Sequence, residues 1–119
     1  MHVTRLAAAP AYEAPGHDDM RMLRLQGREA GPADTLWLGL SHLLPGGGTT
    51  LDVSPFEKMY VVLEGEVTVS NGAETATLGQ WDSCRIAPGE PRSLANRTNR
   101  PATTLLAMPL APDPSRTPA

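Results

Sequence analysis

Cysteine occurs once in these 119 residues, as Cys84, so no internal disulfide can form and a reducing compartment suits the chain. With no second cysteine and no histidine pair at ligand spacing, a structural zinc site is not expected. Aromatic residues make up only 4% and the net charge is −3 with no basic cluster. Neither the stacking platforms nor the electrostatic footprint of a nucleic-acid binder is there. No apolar run approaches the roughly 20 residues that span a bilayer. The N-terminal MHVTRLAAAPAYEA is too short and too mixed in its apolar stretch for a signal peptide. These absences lead to the expectation of a cytoplasmic protein with neither nucleic acid nor membrane as partner. A long amphipathic helix, an internal repeat and a linker are missing as well.

What the chain has is punctuation. Its 12 prolines and 11 glycines separate short apolar runs at intervals of about ten residues, the pattern of a sandwich or closed barrel. Strands are expected at Met20–Leu25, Thr35–Leu44, Met59–Leu63, Glu66–Ser70, Thr75–Leu78, Ser83–Ile86, Arg92–Asn96 and Thr103–Met108. Pro45-Gly46-Gly47-Gly48, Glu64-Gly65-Glu66 and Asn71-Gly72 favour positive φ or tight reversal, which makes antiparallel pairing the default. A chain of this length supports one domain and one core, burying roughly two-thirds of its unfolded surface. In the run WLGLSHLLP, Leu36, Leu38, Leu40, His42 and Leu44 share one face, and Trp37, Gly39, Ser41 and Leu43 the other. The leucine company reads as core for His42. Met59-Tyr60-Val61-Val62-Leu63 is apolar on both faces, as a strand buried on both sides would be.

The segment PGGGTTLDVSPFEKMYVVLEG resembles the first motif of the cupin family: Gly, five residues, His, one residue, His, three residues, Glu, six residues, Gly. Counted from Gly46, those steps fall on Asp52, Ser54, Lys58 and Gly65 without a gap. WDSCRIAPGEPRSLAN resembles the second motif, Gly, five residues, Pro-X-Gly, two residues, His, three residues, Asn. Gly89 and Asn96 match it, Trp81 stands at the first Gly, Ala87 at the Pro with Pro88 beside it, and Arg92 at the last ligand histidine. The frame is kept and all four ligand positions are changed. The resemblance implies an all-β antiparallel jelly-roll β-barrel over residues 20–109. Residues 1–19 form an N-terminal arm and 110–119 a Pro-rich flexible tail outside it. It also implies a homodimer.

In relatives with intact motifs, the equivalents of Asp52, Ser54, Lys58 and Arg92 converge on a divalent metal. Lys58 and Arg92 offer only donors and positive charge, so they cannot ligate a cation and would repel one. The expected guest therefore changes sign: a small anionic molecule, carboxylate or enolate, with no cofactor and no metal. Arg92 would grip it with a planar fork, Lys58 with a point charge, and Asp52 and Ser54 with hydrogen bonds. Lys58 near Arg92 in a desolvated barrel is a candidate base or imine-forming amine. A structural Asp52–Lys58 bridge is its alternative role. Tyr60 shares the Lys58 stripe and could donate or accept a proton, as in the cupin-like sugar-nucleotide epimerases, and His42 would serve as general acid or base if it faced the pocket. His17 reads as an exposed loop residue. Its alternative is an arm folded over the barrel mouth, where His17, Asp18 and Glu57 build a displaced metal site. His2 reads as frayed, Trp37 and Trp81 as packing or interface anchors, and Cys84 as a small core hydrophobe. Three functions stay open: a metal-free isomerase, lyase, cyclase or epimerase acting on a small acid, a non-catalytic ligand-binding or structural cupin, and a metal-dependent oxygenase or isomerase with ligands from Asp52, Glu57, His42 or His17.

Overall fold

The computed structural model describes residues 1–111, a nearly all-β unit. Its ten strands are β1 (Ala11–Tyr12), β2 (His17–Gln26), β3 (Leu36–Thr49), β4 (Asp52–Val53), β5 (Lys58–Glu64), β6 (Val67–Ser70), β7 (Thr75–Leu78), β8 (Ser83–Ile86), β9 (Pro91–Ala95) and β10 (Ala102–Pro109). Every pairing is antiparallel. The main path runs β7-β6-β9-β3-β10-β5-β8, with β2 along β3 and β4 along β9. The sheet curls into a nearly closed jelly-roll barrel. Of the Pro-rich tail, residues 112–119 lie outside the described residues, while Leu110 packs on the core and donates its N–H to Thr35.

The core is the inward row of these strands. Leu43, Val62, Val67, Val69, Ile86, Leu94, Ala102 and Leu106 fill it, closed at one end by Trp37 and Tyr60. Each fully buried Val or Leu contributes roughly 1.5–3 kcal/mol of transfer free energy, so this row sets the register. Asn96, 1% exposed, ties one end of the barrel. Its Nδ2 donates to the carbonyls of Leu43 (3.0 Å) and Arg100 (2.7 Å), and its Oδ1 accepts from the Thr98 N–H (3.0 Å).

Two expectations need correction. The run Pro45-Gly46-Gly47-Gly48 continues β3 instead of ending it, because Gly48 pairs with Ala95 on β9. A Cβ on Gly48 would lie 2.2 Å from the Leu94 carbonyl oxygen, and one on Gly47 2.3 Å from that of Asp19. These glycines serve close backbone approach. Second, the two faces of β3 alternate as expected, but the core faces Trp37 and Leu43. His42 lies on the opposite, leucine-bearing face, where its ring hydrogen-bonds Thr103 Oγ1 through Nδ1 at 3.1 Å. Register places Leu23, Leu40, Leu105 and Val61 side by side on that outer face, flanked by Leu38, Ala107 and Met59.

Residues 1–16 do not hang free. Pro10 accepts from the Arg24 N–H at 2.8 Å, β1 pairs with β2, and the His2 ring, expected to fray, donates Nε2 to the Ala30 carbonyl at 2.7 Å. The arm thereby crosses one mouth of the barrel.

Candidate functional site

A cavity of about 290 Å³ opens at that mouth. The barrel contributes Ser54, Lys58, Tyr60, Arg92, Trp37, Leu106 and Met108 to its wall. The arm and the first long strand contribute Tyr12, Glu13, His17 and Arg24, with Arg28 just beyond. Strand alternation explains the barrel set: Lys58 and Tyr60 are two apart on β5, as are Leu106 and Met108 on β10, so each pair shares the inward face. Four cations and one carboxylate, Glu13, line this space.

Lys58 is the only lysine in the chain. It is 6% exposed, and burial, reinforced by Arg92 and opposed by Asp52, lowers its pKa to about 8. Ion pairs among the described residues are Arg24–Glu29 and Arg85–Glu57, so no carboxylate neutralises Lys58 or Arg92 by contact. An Asp52–Lys58 bridge is therefore not formed. Arg92, 5% exposed, donates Nη1 to Thr49 Oγ1 at 2.6 Å, while its Nε has no acceptor among the described residues. Tyr60 is pushed up to about 12, chiefly by burial, with Arg92 pulling the other way. It stays a neutral phenol near neutrality, able to donate a hydrogen bond into the cavity.

His17 is brought to the cavity by the arm. Its Nδ1 donates to the Pro15 carbonyl at 2.8 Å, which fixes the tautomer and leaves the Nε2 lone pair free. Burial lowers its pKa, the Pro15 hydrogen bond opposes this, and nearby Arg92 and Lys58 add to the lowering. A histidine held below its ordinary pKa and a lysine lowered to about 8 thus line one cavity, so that a ring nitrogen able to accept a proton shares the space with an ammonium able to give one.

The structure does not bring together every residue the sequence nominated. Ser54 lines the cavity, whereas Asp52 is exposed on β4 and its carboxylate accepts from Thr50 Oγ1. His42 is on the outer face and Glu57 pairs with Arg85, both away from this wall. No group of three or more His, Cys, Asp or Glu side chains among the described residues is placed to hold a metal ion. The positions that ligate metal in the resembling family hold Asp52, Ser54, Lys58 and Arg92, and two of these are cations that cannot coordinate one. The donor set does not fit a divalent metal. Tyr12, Glu13, Arg24, Arg28 and Trp37 were not singled out as site residues from sequence. Their signal is tertiary: Arg24 lies 3.5 Å over the Tyr12 ring and 4.3 Å over that of Trp37, which meets Tyr12 edge-on. A smaller hollow of about 170 Å³, lined partly by Cys84, Arg85 and Glu90, has no such convergence of cations.

A small jelly-roll barrel with a cationic, arm-covered mouth and the glycine frame described above defines the class, and the chain belongs to the cupin family. The family's cupin domain model matches residues 39–108. The chain is similar to the Beta-D-galactosidase Rv1717 of Mycobacterium tuberculosis (strain ATCC 25618 / H37Rv), 47% identical over 109 residues that cover 91% of this chain and 93% of that protein. In fold it matches the polyketide cyclase RemF from Streptomyces resistomycificus, with a TM-score of 0.80 at 22% identity over 92% of this chain and 79% of that one. It also matches a cupin-superfamily sugar phosphate isomerase from Silicibacter pomeroyi, with a TM-score of 0.77 at 22% identity over 91% of this chain and 75% of that one.

Proposed function

We propose that the barrel mouth is a metal-independent active site for a small organic molecule carrying a carboxylate or developing an enolate. The observation that carries this reading is the buried pair Lys58 and Arg92, neither paired with a carboxylate, in a cavity with His17 and Tyr60. At about 290 Å³ the space is near the lower end of ligand pockets, roughly 300–1,000 Å³, which suits a monosaccharide-sized guest. Arg92 orients the acid group, and Lys58 and Tyr60 stabilise charge that develops on an adjacent oxygen. His17 Nε2 takes a proton from the neighbouring carbon. Return of that proton at another position gives isomerisation, and loss of a leaving group gives a lyase or cyclase outcome.

A second reading, hydrolysis of β-D-galactosides, is favoured by the similarity to the mycobacterial galactosidase. The same groups serve it: the Lys58 ammonium protonates the leaving oxygen, and water adds to the anomeric carbon as His17 accepts its proton. Glu13, the one carboxylate lining the cavity, stabilises the positive charge that develops on the sugar ring.

The chain is further proposed to work as a homodimer, because the outer face carrying Leu36, Leu38, Leu40 and Met59 is continuous and apolar, and Leu36 and Met59 are each 48% exposed.

Protein treated with a chelator and assayed against aryl β-D-galactosides and against small hydroxy and keto acids tests both readings. Turnover that survives chelation and falls at least a hundredfold in Lys58→Met and His17→Gln supports a metal-independent site. Turnover restored only by a divalent metal overturns it. Because lysine occurs once, borohydride trapping of a keto acid reports an imine at Lys58 alone beside the N-terminus.

A further inference from the structure

The cavity has cations at two places. Lys58 and Arg92 belong to the barrel interior, while Arg24 and Arg28 lie at the end of β2 and in the short 3-10 turn Arg28–Ala30 that follows it. Arg24 is pinned: its guanidinium stacks on Tyr12 and Trp37, and its Nε donates to Glu29 at 2.9 Å. Its Nη groups donate no hydrogen bond to a carboxylate among the described residues. Arg28 forms no ion pair among the described residues and stands 6.0 Å from the Trp37 ring. Its backbone takes φ 50, directly after Gly27 at φ 79, a left-handed pair of residues at the turn that carries it to the cavity.

An independent sign of a missing acceptor is Trp37. It is 5% exposed and lines the same cavity, yet its indole N–H has no partner among the described residues. A buried donor left without an acceptor is costly. The Arg92 Nε is unpartnered in the same way, so donors lack acceptors in both parts of the wall. Glu13 is the sole lining residue of opposite charge.

Resting on the reading of the Lys58–Arg92 pair as an anion site, we infer that Arg24, Arg28 and the Trp37 indole N–H form a second anion subsite, so that the natural ligand is a compact molecule with an acidic group at each end. Both ends are carboxylate or phosphate in chemistry. The inner group meets Lys58 and Arg92, and the outer one meets the Arg24–Arg28 fork, whose planar donors match either oxyanion. Tyr12, on whose ring Arg24 stacks, lines the same cavity.

Matched pairs of four- to six-carbon acids test this by calorimetric titration: a monocarboxylate, the corresponding dicarboxylate, and the corresponding phosphorylated acid. The variants are Arg28→Asn, which keeps a residue tolerant of left-handed backbone, and Arg92→Gln. In the native protein a doubly anionic member binds at least tenfold tighter than its monoanionic counterpart. Arg28→Asn abolishes that advantage and leaves monoacid affinity within twofold, whereas Arg92→Gln weakens both. A preference for the phosphorylated or the dicarboxylic member assigns the outer group. Equal affinity for mono- and doubly anionic members in native protein overturns the second subsite while leaving the inner one standing. Failure of every acid to bind overturns the inner site and this inference with it.

Discussion

Asp52 and Arg92 are cross-strand partners on β4 and β9, yet they do not form an ion pair. The carboxylate turns to Thr50 and the guanidinium to Thr49, whose Oγ1 also accepts from the Leu94 N–H at 3.0 Å. The arginine is thus fixed by a neutral hydroxyl, which holds its direction while leaving its charge for a guest. Replacing Thr49 by Val removes that hold. Affinity for the anionic ligand should fall about tenfold, or ~1.4 kcal/mol, with the fold retained. Titration calorimetry alongside a thermal melt checks both halves.

Lys58 sets a pH-dependent stability. Its pKa falls from the model-peptide range to about 8 on folding, so between that value and its unfolded pKa the unfolded chain holds a proton the folded one has lost. Stability therefore rises with pH across that window, and the penalty for burying the ammonium is full below it. Lys58→Met should stabilise the protein by on the order of 1–2 kcal/mol at pH 7, after allowance for solvent at the mouth. The gain should shrink as pH climbs from 8 towards 10.5. Chemical denaturation at several pH values measures it.

Asn96 carries structure. Truncation to Ala removes the side-chain donor from the buried Leu43 carbonyl and one of two donors from the Arg100 carbonyl, which keeps Thr98 Oγ1. A loss of about 3 kcal/mol is expected from the hydrogen bonds left unmade, with ligand affinity unchanged in the protein that remains folded. Urea melts and a binding titration separate the two effects.

The leucine-bearing outer face should govern assembly. Placing Glu at both Leu36 and Met59 puts charge on its exposed margin. Sedimentation should then report a monomer where the native protein reports a dimer, without loss of the barrel's circular dichroism.

The frame of this fold was legible because glycine marks backbone geometry. Gly46, Gly65 and Gly89 all take positive φ, and Trp81, at the position the family gives to glycine, adopts φ 69 despite its side chain. A Cβ on Gly65 would stand 2.9 Å from the Pro101 carbonyl oxygen, so the turn there tolerates nothing larger. Lys58, Tyr60 and Arg92 were legible for a second reason: strand alternation ties them to the inward row. His42 was not, since the period of two defines two faces of β3 and both are apolar, so hydropathy cannot say which is inside. The arm was harder still. Tyr12, Glu13 and His17 reach the cavity through the β1–β2 pairing and the Arg24 stack, contacts that no local pattern encodes. Glu13 and Arg28 are exposed charged residues in the chain's periodicity, and only the packed arm and the turn after β2 give them a shared wall.

The central claim is an anion site built from Lys58 and Arg92. Its most direct test is calorimetric titration of chelator-treated protein with monosaccharide-sized acids and their neutral counterparts at pH 7. At least one acid should bind at one site per chain, tighter than its neutral counterpart, and lose at least tenfold in Arg92→Gln. Equal affinity for acid and neutral compound, or binding that appears only when a divalent metal is restored, would contradict it.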